Sequence, residues 1–173
     1  MEIITMGIVL AIIAVLVLSK ARAMAAQNTG LTIDTNCVYQ GGGNPEYVYL
    51  VAYEAITPGD NVAPSGTQQC YQSDTGASPV YMGTADKNDK AVLDDNNPMT
   101  HDFAAGEVVA VITGHCHVRK IADTNGTTAG KVQRIGAADG AECEDNASTM
   151  KYSIGRALTT ATTGNAFLMV QWG

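Results

Sequence analysis

Hydrophobic residues fall along this chain in two unlike patterns. From Ile3 to Leu18 the sequence reads IITMGIVLAIIAVLVL, without a single charge. No polar stripe interrupts it, so as a helix it would face lipid or protein on every side. Ala21 and Ala23–Ala26 extend the helical pattern, and Gly30 offers a left-handed residue to end it. The spacing predicts one continuous helix over residues 3–26. After that the period changes to two. Short β-branched or aromatic runs recur between Gly, Pro and Asn/Asp turns. They are Tyr47–Tyr53, Val80–Gly83, Glu107–Thr113, His115–Ile121, Ile154–Leu158 and Ala166–Trp172. Glu107–Thr113 is nearly apolar on both faces. Thr57-Pro58-Gly59-Asp60 reads as a turn, Asp86–Pro98 as a polar loop and Thr159–Asn165 as a small-residue turn. No downstream window sustains a 3.6 period, and no internal repeat stands out. The expected architecture is a mainly β, antiparallel sandwich or small barrel over residues 27–173, one domain, preceded by a hydrophobic helix over 1–26.

The apolar run spans roughly 24 Å as a helix, somewhat short of the ~20 residues of a membrane span, but Lys20 and Arg22 can snorkel to headgroups. Three readings fit it: a membrane anchor, a helix buried among copies of itself in a filament, and a cleaved signal peptide. Ala21-Arg22-Ala23 and Ala23-Met24-Ala25 resemble cleavage sites, yet Glu2 is the only charge ahead of the run, where a signal peptide carries Lys or Arg. Lys20 and Arg22 on the domain side place that domain on the cytoplasmic face of a membrane.

Composition narrows the function. Charged residues make up 16% of the 173 residues, and the formal net charge is −7. Losing Glu2, Lys20 and Arg22 with the helix leaves the remainder one unit more negative. An acidic, weakly charged domain repels phosphate backbones, so nucleic acid is not an expected partner. Few charges and many Gly, Ala and Thr suit surfaces buried against neighbouring subunits.

Candidate chemistry is sparse. Cys37, Cys70, Cys116 and Cys143 are widely spaced, without a CxxC pair. They read either as two disulfides of undetermined connectivity or as separate small hydrophobes. His115-Cys116-His117 is the one cluster of metal-ligand type. On a strand His115 and His117 share a face and could hold zinc if His101 or a carboxylate converged. A third ligand is not placed by the sequence, and a strand with two half-exposed histidines is the simpler reading. The Asp86–Asn97 stretch is rich in oxygen ligands, but Lys87 and Lys90 interrupt it and its spacing is not that of a calcium loop. Nucleophile elbows, HExxH, P-loop and dinucleotide motifs are absent, so neither an enzyme nor a cofactor is expected.

Three further segments carry a family likeness. One is Thr57-Pro58-Gly59-Asp60-Asn61-Val62 with the following Val80–Gly83. Another is Ala105-Gly106-Glu107-Val108-Val109-Ala110-Val111 with Gly114. The last is Ile154-Gly155-Arg156-Ala157-Leu158, a small-residue turn and a closing strand Phe167–Trp172. Over Thr57–Gly173, about two thirds of the chain, these resemble the small β-barrel capsid decoration (cement) proteins of tailed phages. The resemblance implies a virion structural protein, capsid-associated, that packs against copies of itself and other virion subunits. Members of that family normally lack a hydrophobic N-terminal helix; here the apolar run would anchor the protein in a lipid membrane or a helical core. The alternative is a subunit of a pilus-like filament on the cell surface. Against it, pilins carry Glu at the fifth position where this chain has Thr5, and they continue the helix where Asn28-Thr29-Gly30 would stop it.

Overall fold

The computed structural model describes residues 31–73, 80–136, 142–145 and 153–172. The helix expected over 3–26 lies outside the described residues. Among those that are described, no helix is long and apolar enough to cross a membrane. The compact unit that carries the β structure runs Ile33–Gly173.

Among the described residues, eleven strands and one short helix build this unit: β1 Tyr39–Gly43, β2 Glu46–Ala52, β3 Asn61–Ser65, β4 Gln69–Gln72, β5 Gly83–Ala85, α1 Asp89–Leu93, β6 Val108–Thr113, β7 Cys116–Ala122, β8 Val132–Ile135, β9 Glu142–Asp145, β10 Ser153–Ala157 and β11 Ala166–Gln171. The helix sits inside the expected polar loop. The Asn88 side chain caps it, accepting from the Lys90 N–H at 3.1 Å. The strands close into two barrels. In the first the order around the ring is β2-β4-β3-β5-β6, and β6 returns to β2. In the second β7 pairs with β11 and β9, giving β7-β9-β8-β10-β11, and β1 lies on the outside of β7. The expected antiparallel pairing holds except at one place in each ring, where β2–β4 and β7–β9 run parallel. The β domain is therefore barrel rather than sandwich.

The two barrels are the same fold used twice, which corrects the reading that the chain has no internal repeat. Their strand orders match, and so do their registers. Val51 faces Val108 as Ile121 faces Ala166, and Ala52 lies beside Cys70 as Ala122 lies beside Cys143. Ala85 faces Val111 as Ala157 faces Met169. An isolated bridge Ile56–Phe103 in the first barrel has its counterpart in Thr127–Ala161. Even the turn hydrogen bonds recur: Gly59 N–H to Ala85 C=O matches Gly130 N–H to Ala157 C=O, and Gly106 N–H to Ala52 C=O matches Gly164 N–H to Ala122 C=O. All four of these glycines have positive φ.

Each barrel has its own core. Ala52, Ile56, Val62, Cys70, Ala85, Phe103, Val109 and Val111 fill the first. Val38, Met99, Ile112, Cys116, Val118, Ala122, Ile135, Cys143, Ile154, Ala157, Phe167 and Met169 form the second cluster. Ile112 is the telling member, because its strand belongs to the first barrel. Val109 and Val111 point into that barrel while Ile112 reaches the second core, which is why Glu107–Thr113 reads as apolar on both faces. Of the two aromatics at the end of the chain, Phe167 in β11 is fully buried, and Trp172, one residue past the end of β11, is half-buried.

Gly83 and Gly155 occupy equivalent positions and explain themselves in the same way. A Cβ on Gly83 would lie 2.3 Å from the Ile112 carbonyl oxygen, and one on Gly155 would lie 2.2 Å from that of Val170. Gly83→Ala and Gly155→Ala should each destabilise the chain by about 1–3 kcal/mol or more, because rigid backbone is what must yield. Phe167→Ala should cost about 3–5 kcal/mol through the cavity it leaves. Urea titrations of the three variants check this. An alanine at either glycine without loss of stability would contradict the close approach described here.

Candidate functional site

The His-Cys-His cluster lies at the start of β7. His115 is exposed in the turn before the strand, Cys116 is buried, and His117 is half-buried under β1. The glycine run Gly41-Gly42-Gly43 makes that packing feasible. A Cβ on Gly42 would stand 2.5 Å from the His117 ring, and one on Gly43 would stand 1.8 Å from the His115 carbonyl oxygen. The Asn44 N–H also donates to that carbonyl at 2.9 Å. The imidazole of His117 is therefore a platform for the glycine strand. Among the described residues no group of three His, Cys, Asp or Glu side chains converges in a way that could hold a metal ion. In the Asp86–Asn97 stretch, Asp86 accepts from the Lys87 N–H, Lys87 pairs with Asp89, and Asn97 accepts from the Met99 N–H. These oxygens cap turns and do not point at a common centre.

None of the four cysteines is in a disulfide. Cys37 is half-exposed, and the other three are buried. Cys70 and Cys143 are equivalent residues of separate barrels, each beside an alanine at the parallel pair that closes its ring. Burial pushes the Cys70 and Cys116 thiols up to about 11, so neither is a ready nucleophile at neutral pH.

Two buried polar side chains, Gln171 and Lys120, tie the barrels together where they meet, a place the sequence did not reveal. Gln171, at the end of β11, is fully buried. Its Oε1 accepts from the Tyr81 hydroxyl at 2.8 Å and from Thr84 Oγ1 at 3.0 Å, and its Nε2 donates to the Ile112 carbonyl at 3.0 Å. One amide of the second barrel thus ties together three residues of the first. Burial holds the Tyr81 phenol far above its ordinary range, so it stays protonated and available as a donor. Lys120 makes a second tie. It is 1% exposed, and its Nζ donates to the Gly59 carbonyl of the first barrel at 2.8 Å. Burial brings its ammonium down to about 8, partly offset by the negative potential of Cys143 and Asp60. A signal for these residues exists only once the repeat is known: Lys120 sits where the first barrel has Leu50, and Gln171 where it has Thr113. This arrangement fixes two barrels as one body and offers no reactive constellation.

Comparisons with known proteins add a likeness of backbone. No family model matches the chain, and no curated protein matches it. Among solved structures it is similar to the head fiber gp8.5 N base of bacteriophage phi29, with 14% sequence identity and a TM-score of 0.49, over 74% of this chain and 94% of that one. A likeness of that size carries no function across.

Lys120 gives a pH signature. Its folded-state pKa of about 8 lies below the ~10.4 of an unfolded lysine. Between these values the unfolded chain holds the extra proton, so this residue makes stability rise as pH climbs from about 8 to about 10.4. The buried thiols titrate in the opposite sense, which makes the comparison with Lys120→Met the clean one. From pH 7 to pH 10.5 the stability difference should move in favour of the parent by on the order of 3 kcal/mol. Urea midpoints at the two pH values measure it, and a difference independent of pH would show that Lys120 is not held in this environment.

Proposed function

We propose that the chain is a virion structural protein that acts by assembly and not by turnover, a capsid-associated or decoration subunit whose N-terminal apolar segment anchors it. The observation that carries this reading is where the resemblance to capsid decoration proteins falls. Its three segments, Thr57–Val62, Ala105–Val111 and Ile154–Leu158, are the turns and strands from which the barrels are built. Thr57-Pro58-Gly59-Asp60 enters β3, Ala105-Gly106-Glu107 enters β6, and Ile154-Gly155-Arg156-Ala157 is β10. The likeness therefore concerns a framework and not a scattered set of surface residues. Two further features support the reading. The buried polar groups just described are spent on joining barrels. The first barrel also presents Tyr47, Tyr49, Tyr53 and Val108 to solvent, residues that suit a subunit interface.

The membrane role follows from Ile3–Leu18 and the flanking Lys20 and Arg22. It predicts that the protein leaves purified particles with detergent and stays with them in high salt. The test of the whole reading is to locate the protein in purified particles by mass spectrometry and to determine the symmetry of its copies. Icosahedral placement is the expected result. A helical rod with the apolar segments bundled along its axis would replace this reading with the pilus-like filament. Changing both His115 and His117 to Ala should leave incorporation nearly unchanged, since no metal function is given to them. A parent protein that carries stoichiometric zinc and loses incorporation with it would show otherwise.

A further inference from the structure

The duplicated fold provides an internal control for one of its own surfaces. Outside each closing parallel pair, the first strand of each barrel runs on past its neighbour and leaves one edge uncovered. In the second barrel that edge is filled by β1, which runs antiparallel to β7: Tyr39 faces Val118, Gly43 faces Cys116, and the Arg119 N–H donates to the Val38 carbonyl at 2.8 Å. In the first barrel the equivalent edge belongs to β2. The Val51 and Tyr53 N–H groups on this side are taken by Gln68 and Cys70 carbonyls. Preceding them on the same side are Tyr47 and Tyr49, and Tyr49 is the counterpart of Arg119. Among the described residues β2 pairs only with β4, at Val51–Ala52, and with β6. Four successive residues, Glu46 to Tyr49, are exposed, with Tyr49 at 68%. An open edge of this composition is a template for another strand.

We infer that this edge is an interface between two copies of the chain, formed by antiparallel pairing of β2 with β2 about a two-fold axis at Val48. The register follows from which groups face outward. With the axis at Val48, Tyr47 meets Tyr49 of the second copy and Tyr49 meets Tyr47. Both are then hydrogen-bonded pairs, using every free N–H and C=O of the edge. Centring on Tyr49 would demand the Val51 N–H, already given to Gln68. Centring on Tyr47 would bring Pro45, which has no N–H, opposite Tyr49. The Val48 register also sets Glu46, the only charge on the strand, across from Leu50 and not across from itself. Two acidic copies thus meet without opposed carboxylates. The tyrosines form cross-strand aromatic pairs on the outer face.

The contact rests on strand pairing more than on area. Tyr47, Val48 and Tyr49 on the open edge are 42%, 38% and 68% exposed. Aromatic side chains bury about 150–250 Å² each, so with Val48 their exposed parts add roughly 300 Å² per copy to the backbone ladder. This interface rests on the fold alone, so it and the virion reading fail separately.

The test uses the full chain in a mild detergent, with Cys37→Ser removing the one accessible thiol. Val48→Cys places two cysteines across the axis in a non-hydrogen-bonded pair, where Cα atoms lie ~4.5 Å apart, within disulfide reach. Mild oxidation should convert most of the chain to a covalent dimer, whereas Leu93→Cys, at a site 85% exposed, should not. Tyr49→Pro removes one edge donor and blocks the pairing. Its mass by light scattering should fall to half that of the parent, with the far-ultraviolet dichroism retained. The Val48→Cys result decides if the proline variant fails to fold. A parent that is monomeric at tens of micromolar, a Val48→Cys chain that couples no better than the Leu93→Cys control, or one that couples to a different protein or to another cysteine of its own chain would each overturn the inference.

Discussion

Five strands make a narrow barrel, and its radius governs the rest of this structure. Where a ring is this small, strands approach so closely that parts of the wall admit only Gly, Ala or Cys. The same positions in both rings obey the limit: Ala52 and Ala122, Cys70 and Cys143, Gly83 and Gly155, Ala85 and Ala157. A barrel lined this way buries little apolar area of its own, and small domains are marginal for that reason. Joining two of them corrects the deficit. Ile112 leaves one wall to enter the other core, and Gln171 and Lys120 carry hydrogen bonds back across the junction. Those polar ties are expensive to bury and costly to break, so they fix how the barrels meet more than they add to stability.

The same limit explains what could be read from the chain. Strands β2, β6, β7, β10 and β11 were legible because they carry β-branched and aromatic residues in runs long enough to show a period of two. β3, β4, β8 and β9 were not. Their sequences, NVAPS, QCYQ, VQRI and ECED, are short and rich in polar residues, so none shows a run long enough to display a period of two. Pro64 lies within β3, although proline is usually excluded from strand interiors. It is tolerated because β3 pairs with β5 only at Asn61 and Val62, leaving no ladder bond for a Pro64 N–H to make on that side. The run Val80–Gly83 was placed slightly early, with β5 starting at its last residue.

The repeat escaped for a related reason. What the halves share is the residues that close turns and line the narrow wall, such as Gly59 and Gly130 or Gly106 and Gly164. These are common residue types that carry little weight one by one. The first half also inserts α1 and its flanking loop between β5 and β6 where the second has the short turn before β11, so spacing along the chain differs while register in space does not. Of the candidate site, the His-Cys-His run was visible but turned out to seat glycines. Lys120 and Gln171 looked like ordinary polar residues of two strands, and only the duplication shows that each replaces what the other barrel has at that place.

Duplication also leaves a question of symmetry that the chain answers unequally. Two equivalent barrels bring two equivalent strand edges, and one preceding segment, β1, can cover only one of them. It covers β7, at the expense of three glycines in succession and a conformation that no other residue would adopt there readily. The cover is tight because His117 and the His115 carbonyl lie directly beneath it. On β2 the corresponding residues are Tyr47 and Pro45, and the strand above them is missing among the described residues. An exposed strand edge is a liability for a soluble protein, which would blunt it with lysines, a bulge or a cover. Here it carries Tyr-Val-Tyr-Leu and no lysine at all. The two halves of the duplication have thus diverged in opposite directions at the same position, one sealed by its own chain and the other kept apolar and open, which is the difference expected between an internal joint and a surface made for assembly.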